Sequence, residues 1–380
     1  MPSFYQIRTS LSIIDKIREI NIFLVCLLLI IFLFGLLSLY SVADGNFNPW
    51  ARNHLIRFVI SAILFFIISV IDIKIILKLA YPLFFINILA LVLIMFIGTE
   101  TYGATRWIRI AGVSLQPSEF IKVSLILCLA KYYHSIPIIE ASKISRMIIP
   151  VIITLIPVGL VINQPDLGTS IIILIGAGSI FWIVGINYKY FILTFLSACA
   201  SIPVGWQYLR NYQKERVFTF FNPERDPLGN GYHIMQSKIA LGSGGFAGKG
   251  YLEGTQSHLN FLPEMHTDFI FTMYGEEFGF IGTFLLLIIY LSIILVSFNL
   301  ATKSRSSFGK YLSCGLIFLF FSHVFINIGM VMGLLPVVGV PLPLISYGGS
   351  SMLATMIGFG LIMNCYINRD TILAKEGFID

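Results

Sequence analysis

Ten stretches of this chain are each apolar over roughly the 20 residues that a helix needs to cross a bilayer. They cover 21–43, 55–72, 75–97, 119–134, 147–163, 169–186, 188–209, 278–298, 311–332 and 346–366, the fourth being the shortest. Backbone in lipid has no water to bond, so each segment must satisfy its own N–H and C=O groups, which at this length means a helix. The expected fold class is an all-α polytopic integral membrane protein with about ten transmembrane helices, a single membrane domain over residues 1–380. Composition agrees, with 57% hydrophobic and 12% charged residues. A soluble domain carries about 25% charged residues.

The first apolar run exceeds the hydrophobic region of a signal peptide, and "SLYSVADG" offers no convincing small-residue cleavage site, so it is expected to remain as a span. Arg8, Lys16 and Arg18 precede it and favour a cytoplasmic N-terminus; ten spans return the C-terminus to the same side. On that topology the cytoplasmic segments carry fourteen Lys and Arg, against four in or beside the short outer loops. Short loops govern orientation, so this bias decides which helix ends face outward. Trp50, Trp107 and Trp206 fall at the outer boundary, the level tryptophan prefers. The net charge of +6 lies mostly on the cytoplasmic side, where it suits membrane lipid with anionic headgroups rather than nucleic acid. The five cysteines sit singly inside spans without metal or disulfide spacing, and read as packing residues.

The polar residues gather outside. Four descending helices open there on "LQPSEFIK" (115–122), "NQPDLGTS" (163–170), "LPEMHTDF" (262–269) and "PLPLISYGGSS" (341–351). Each mouth has a structural reading: proline suits a first helical turn, and an acid there complements the helix dipole. Asp166 and Glu264 could each be a cap, and Glu119 with Lys122 an i, i+3 pair on one face. Four on one side together suggest the rim of an outward cavity. A long extracytoplasmic loop, about 210–267, joins them, and its segment "LRNYQKERVFTFFNPERDP" (209–227) suits either an interfacial or a solvated amphipathic helix. "GSGGFAGKG" (242–250) fails the nucleotide-binding pattern, because Ser243 and Gly250 occupy positions that need Gly and Ser or Thr. Its glycines are expected to permit a tight, irregular loop.

Glu276 and Glu277 would each cost about 2.5–3.5 kcal/mol if they faced lipid, whereas 278–298 spans without them. Residues 264–277 are therefore expected outside the lipid or facing the cavity, with Asp268 wet enough to ionise. An outer cavity with few carboxylates and several cations suits chemistry on a lipid-linked phosphate. Glycosyl transfer needs a base for the acceptor hydroxyl and cations for a departing pyrophosphate. Asp268 is the candidate base, and Arg106, Lys122, Arg216 and Lys238 are the candidate cations. His266 joins them as a candidate substrate contact. A transporter would also want such a cavity.

These motifs resemble those of the SEDS family (shape, elongation, division and sporulation). "GATRWIRIAGVSLQPSEFIK", "QPDLGTS", "NPERDPLGNGYHIMQSKIALGSGGFAGKG", "LPEMHTDFIF", "GEEFG" and "NIGMVMGLLPVVGVPLPLISYGGSS" carry the likeness nearly end to end. "GKGYLEGTQSHLNFLPEMHTDFIF" resembles the elongation branch more than the division branch, with Met265 where arginine is usual. The resemblance implies an inverting peptidoglycan glycosyltransferase that polymerises lipid II on the outer face of the bacterial cytoplasmic membrane. It places the family's essential aspartate on Asp268, its acid and lysine on Glu119 and Lys122, and a further acid on Asp166. The implied partners are a class B penicillin-binding protein (a transpeptidase) and the elongation machinery. No cofactor is readable; a divalent cation, Mg or Mn, is compatible with the resemblance, but no ligand set stands in the sequence. A lipid II flippase would need a polar path to the cytoplasmic half, where His323 and Asn327 offer little beyond a core hydrogen bond. A pure scaffold for the transpeptidase would not need the charged rim.

Overall fold

Every apolar stretch expected to span forms a helix in the structure, a computed structural model that describes residues 12–97, 99–101, 104–110, 113–208, 211–222, 229–255 and 265–373. A short helix, α1 (Ile13–Arg18), leads into α2 (Ile22–Val42), α3 (Trp50–Val70) and α4 (Ile73–Ile97). After an outer connection come α5 (Pro117–His134), α6 (Ile144–Asn163), α7 (Leu167–Val184) and α8 (Tyr188–Tyr208). Next come two shorter helices, α9 (Asn211–Phe221) and α10 (Asn230–Ser243), and α11 (Ile270–Lys303), α12 (Ser307–Val331) and α13 (Gly349–Ile367) complete the bundle.

Nine of the described helices are long and apolar enough to cross a membrane. The tenth, α5, has 18 residues but carries Glu119, Lys122 and Lys131. Its surroundings explain why those charges are tolerated. Every α5 residue except Phe120 and Tyr132 is buried, because α4, α7 and α12 pack around it. A helix sheathed by protein meets no lipid, so it needs no apolar outer face. α8 is the opposite case, with none of its most apolar stretch buried in the protein.

Helix ends are closed by side chains that cross the bundle. Asn21 caps α2 by accepting from Leu24 N at 2.9 Å. At the C-terminus of α3, Asn364 Nδ2 donates to the carbonyls of Ile68 and Ile71 at 2.8 and 2.7 Å, and Lys16 Nζ to that of Val70 at 3.0 Å. Those carbonyls have no partner within their own helix, so α1, α3 and α13 are locked together at this end of the bundle.

Two outer features extend the all-helical expectation. Residues between α4 and α5 form a small antiparallel sheet of β1 (Thr99–Thr101), β2 (Ala104–Ile110) and β3 (Val113–Leu115). The alternation in "TRWIRI" fits the two-residue period of a strand. The second feature is a break in α11 at Gly279, whose φ of 63° and ψ of −159° interrupt the helix. The glycine-rich loop after α10 fills that break. Lys249 N and Gly250 N donate to the carbonyls of Glu276 and Glu277 at 3.0 and 3.1 Å. In return, Phe280 N and Ile281 N donate to Gly245 O and Phe246 O at 3.0 and 3.1 Å. The groups freed by the break thus pair with the loop instead of facing lipid. A Cβ on Gly248 would run into the Glu277 carbonyl, and one on Gly279 into the backbone nitrogen of Gly248. "GSGGFAGKG" is accordingly a packing loop, as its sequence suggested.

Glu276 and Glu277 line the interior side of this break, at 0% and 3% exposure. Lys249 Nζ stands 2.6 Å from Glu276 Oε1, to which Thr255 Oγ1 also donates at 3.0 Å, and Ser41 donates to Glu277. The expectation that these acids avoid lipid is met by burial inside the protein rather than by exposure outside it.

Candidate active site

The connection between α12 and α13, residues 332–348, includes most of the fourth polar mouth and is the element on which the other three converge. Just beyond its end, in the first turn of α13, Ser350 Oγ accepts from Gln116 N at 2.9 Å, which ties it to the mouth of α5. In its middle, Val338 and Val340 lie against Gly168 in the first turn of α7, where a Cβ would collide with the Val338 carbonyl. Near its end, Tyr347 N donates to His266 O at 2.8 Å and Ser346 Oγ to Thr267 O at 2.6 Å, which holds the segment before α11. The sequence reading that placed these mouths on one side is thereby given a common centre.

Asp268 is half-buried at that centre. Asn327 Nδ2, from α12, donates both to the Asp268 backbone carbonyl at 2.9 Å and to Val340 O at 2.7 Å. The side chain therefore projects from a backbone fixed on two sides. Gly339 faces it: a Cβ there would stand 3.4 Å from Asp268 Oδ2, and φ of +72° already favours glycine. His266 lies flat on Trp50, with ring centroids 4.0 Å apart and planes 20° apart, and Tyr347 meets Trp50 edge-on at 4.8 Å. Arg57 covers the Tyr347 ring at 4.2 Å, a cation–π contact that completes this aromatic wall.

Glu119 and Lys122 form the expected i, i+3 pair, Nζ to Oε1 2.9 Å, with exposures of 5% and 2%. The pair has a third member that the sequence reading set aside as core: His323 of α12, whose Nε2 is 2.7 Å from Lys122 Nζ. These three line a cavity with about 30 Å³ of room for water-sized molecules, closed below by apolar residues such as Leu316 and Phe359. That space suffices for one or two waters. Only the i, i+4 spacing of His323 and Asn327 hinted that one face of α12 carries both contacts.

Asp166 does cap α7, its Oδ1 accepting from Thr169 N at 3.1 Å. It also faces Arg106, NH1 to Oδ2 3.8 Å, and Gln116 Nε2 at 3.5 Å. Strand β2 delivers Arg106 to this point, where it also donates from Nε to Gln164 O at 3.2 Å and from NH2 to Pro165 O. Its guanidinium therefore closes the end of α6 beside the mouth of α7, with its charge offset by Asp166. Lys238, on α10, is exposed and lies over Gly333 at the start of the 332–348 connection. Arg216 falls in α9, but its side chain lies outside the described residues, as does Glu264. Among the described residues no group of three His, Cys, Asp or Glu side chains could hold a metal ion. The Mg or Mn compatible with the resemblance thus has no ligand set there.

The fold is that of a polytopic membrane protein, and the comparisons give its family. The FtsW/RodA/SpoVE cell cycle protein model matches residues 18–371. The chain belongs to that family. It is 42% identical over 288 residues to the peptidoglycan glycosyltransferase MrdB of Escherichia coli K12, covering 76% of this chain and 77% of that protein. It is 32% identical to the peptidoglycan glycosyltransferase RodA of Treponema pallidum, covering 73% of this chain and 80% of that protein. Among solved structures, one of a peptidoglycan synthase complex that coordinates polymerization and crosslinking aligns with TM-score 0.80 at 29% identity, covering 92% of this chain and 98% of that one. The rod shape determining protein RodA of Thermus thermophilus aligns with TM-score 0.70 at 25% identity, covering 92% and 97%. The chain is a multi-pass membrane glycosyltransferase of this family, and its likeness to the elongation members is borne out.

Proposed function

We propose that the chain polymerises lipid II into peptidoglycan glycan strands at the extracytoplasmic face of the bacterial cytoplasmic membrane, with Asp268 as general base. The observation that carries this reading is the clamp on Asp268: Asn327 and the 332–348 connection fix its backbone while its carboxylate faces Gly339. A base held in this way can take the proton of the acceptor sugar hydroxyl as that oxygen attacks the donor's anomeric carbon. The bond to the diphosphate breaks on the opposite side, which inverts the linkage. Lys122, paired with Glu119, meets the departing diphosphate, and exposed Lys238 guides the headgroup toward the mouth. The aromatic wall of Trp50, His266 and Tyr347 offers apolar faces to a sugar ring.

The positive-inside count supports an outward mouth, and the unit comprises residues 1–380 as a single membrane domain. A class B penicillin-binding protein and the elongation machinery are the proposed partners, because a transpeptidase consumes the linear glycan this reaction makes. The test uses purified protein with its transpeptidase partner and labelled lipid II. Wild type is expected to yield polymer and Asp268→Ala none at equal expression; polymer from the variant would remove Asp268 as the base.

A further inference from the structure

The Lys122 ammonium is buried with two protein partners, Glu119 Oε1 at 2.9 Å and His323 Nε2 at 2.7 Å. The other ring nitrogen settles how the histidine is protonated. Nδ1 lies 2.8 Å from the Leu319 carbonyl, which can only accept, so Nδ1 carries the hydrogen. A second ring proton at Nε2 would set one donor against another, so Nε2 presents its lone pair to the ammonium. An ammonium has three N–H donors in fixed relation. With one on Glu119 and one on His323, the direction of the third is determined. Both Lys122 and His323 line the cavity. One turn further along α12, Asn327 fixes the backbone of Asp268, so a single helix face sets the positions of both lysine and acid.

We propose that His323 is a positioning residue: by accepting from Lys122 it fixes the direction of the third ammonium N–H, which acts on a diphosphate oxygen of the lipid-linked donor through the one or two waters the cavity can hold. This rests on the reading that Lys122 meets the diphosphate. A histidine that merely fills space would be replaceable by an apolar side chain of similar bulk; an acceptor would not. Glutamine supplies a carbonyl oxygen at comparable reach without a second titratable nitrogen.

The full-length protein in nanodiscs provides the test, with undecaprenyl diphosphate as binding probe and lipid II polymerisation for KM and kcat. Lys122→Met is expected to raise the Kd of the probe by tenfold or more, as loss of a hydrogen bond to a charged group does (about 10- to 100-fold). His323→Leu is expected to raise Kd and KM by about tenfold while kcat stays within about twofold. His323→Gln should recover most of that loss, and His323→Leu should add nothing in the Lys122→Met background. A wild-type Kd and KM in His323→Leu, with Lys122→Met still impaired, overturns the positioning role. So does a His323→Gln protein that melts like wild type yet binds as poorly as His323→Leu. A wild-type Kd in Lys122→Met overturns instead the underlying assignment of Lys122, and the role of His323 with it.

Discussion

Asp268 and Glu276 stand eight residues apart in one segment, yet the protein treats the two acids in opposite ways. Glu276 is fully buried, and Lys249 and Thr255 both bond its Oε1 where the glycine-rich loop enters the break in α11. Its carboxylate is consumed by the scaffold. Around Asp268 the backbone is fixed: Asn327 takes its carbonyl, and Ser346 and Tyr347 take those of the two residues before it. The side chain is half-buried, beside a position occupied by glycine. A fixed backbone that sets where a half-buried carboxylate stands suits a preorganised reactive group, whereas a fully buried ion pair is costly to break.

Four substitutions sharpen or break that contrast. The largest effect is expected from Asp268→Asn, which keeps shape but cannot take a proton: polymerisation falls by about 1000-fold, in the range for a lost general base, with an unchanged melting temperature. A comparable loss of melting temperature would place Asp268 with the structural acids. Lys249→Ala leaves Glu276 without its cation and should lower stability by roughly 3 kcal/mol, as for a buried pair broken on one side. Thermal unfolding in detergent reads it, and an unchanged midpoint would contradict the structural role of the break. Asn327→Ala releases the Asp268 backbone and should reduce kcat by about 100-fold, the scale of a small misplacement of a reacting group; an intact kcat would mean the clamp is dispensable. The smallest effect belongs to Glu140, between α5 and α6, whose carboxyl is held below its usual value by a hydrogen bond and attraction from Lys143. Whatever it contributes is present above the ordinary carboxylate pKa and lost as pH falls through its lowered value. Because the pair is exposed, Glu140→Gln should leave both activity and its acid-side stability profile unchanged.

The spans were legible because each is an uninterrupted apolar run, and lipid permits such runs one conformation. α5 was legible only in part, since Glu119, Lys122 and Lys131 shorten its apolar signal and the burial that excuses them is tertiary. The site was legible as a side of the membrane: charge counting placed four polar mouths together. What joins them was not, because 201 residues separate Lys122 from His323 and 59 separate Asp268 from Asn327. No local pattern encodes such pairings. The sheet at 99–115 was passed over because its strands are short and flanked by spans that dominate any hydropathy reading. Arg106 shows the cost: its charge was legible as one of four candidate cations, but not the strand that sets it beside Gln164, Pro165 and Asp166.

The stack of Trp50 on His266 gives the protein a built-in optical reporter. Trp50 lies against an imidazole, and that imidazole is two residues from Asp268. Trp182 is largely exposed on a lipid-facing helix, and Trp206 packs on Phe218. Indole emission responds to a ring in van der Waals contact, so a substrate that shifts His266 at the mouth should change the emission of Trp50 with no label attached. Occupancy of the site could then be followed in the native membrane, turnover by turnover, in light emitted by the protein itself.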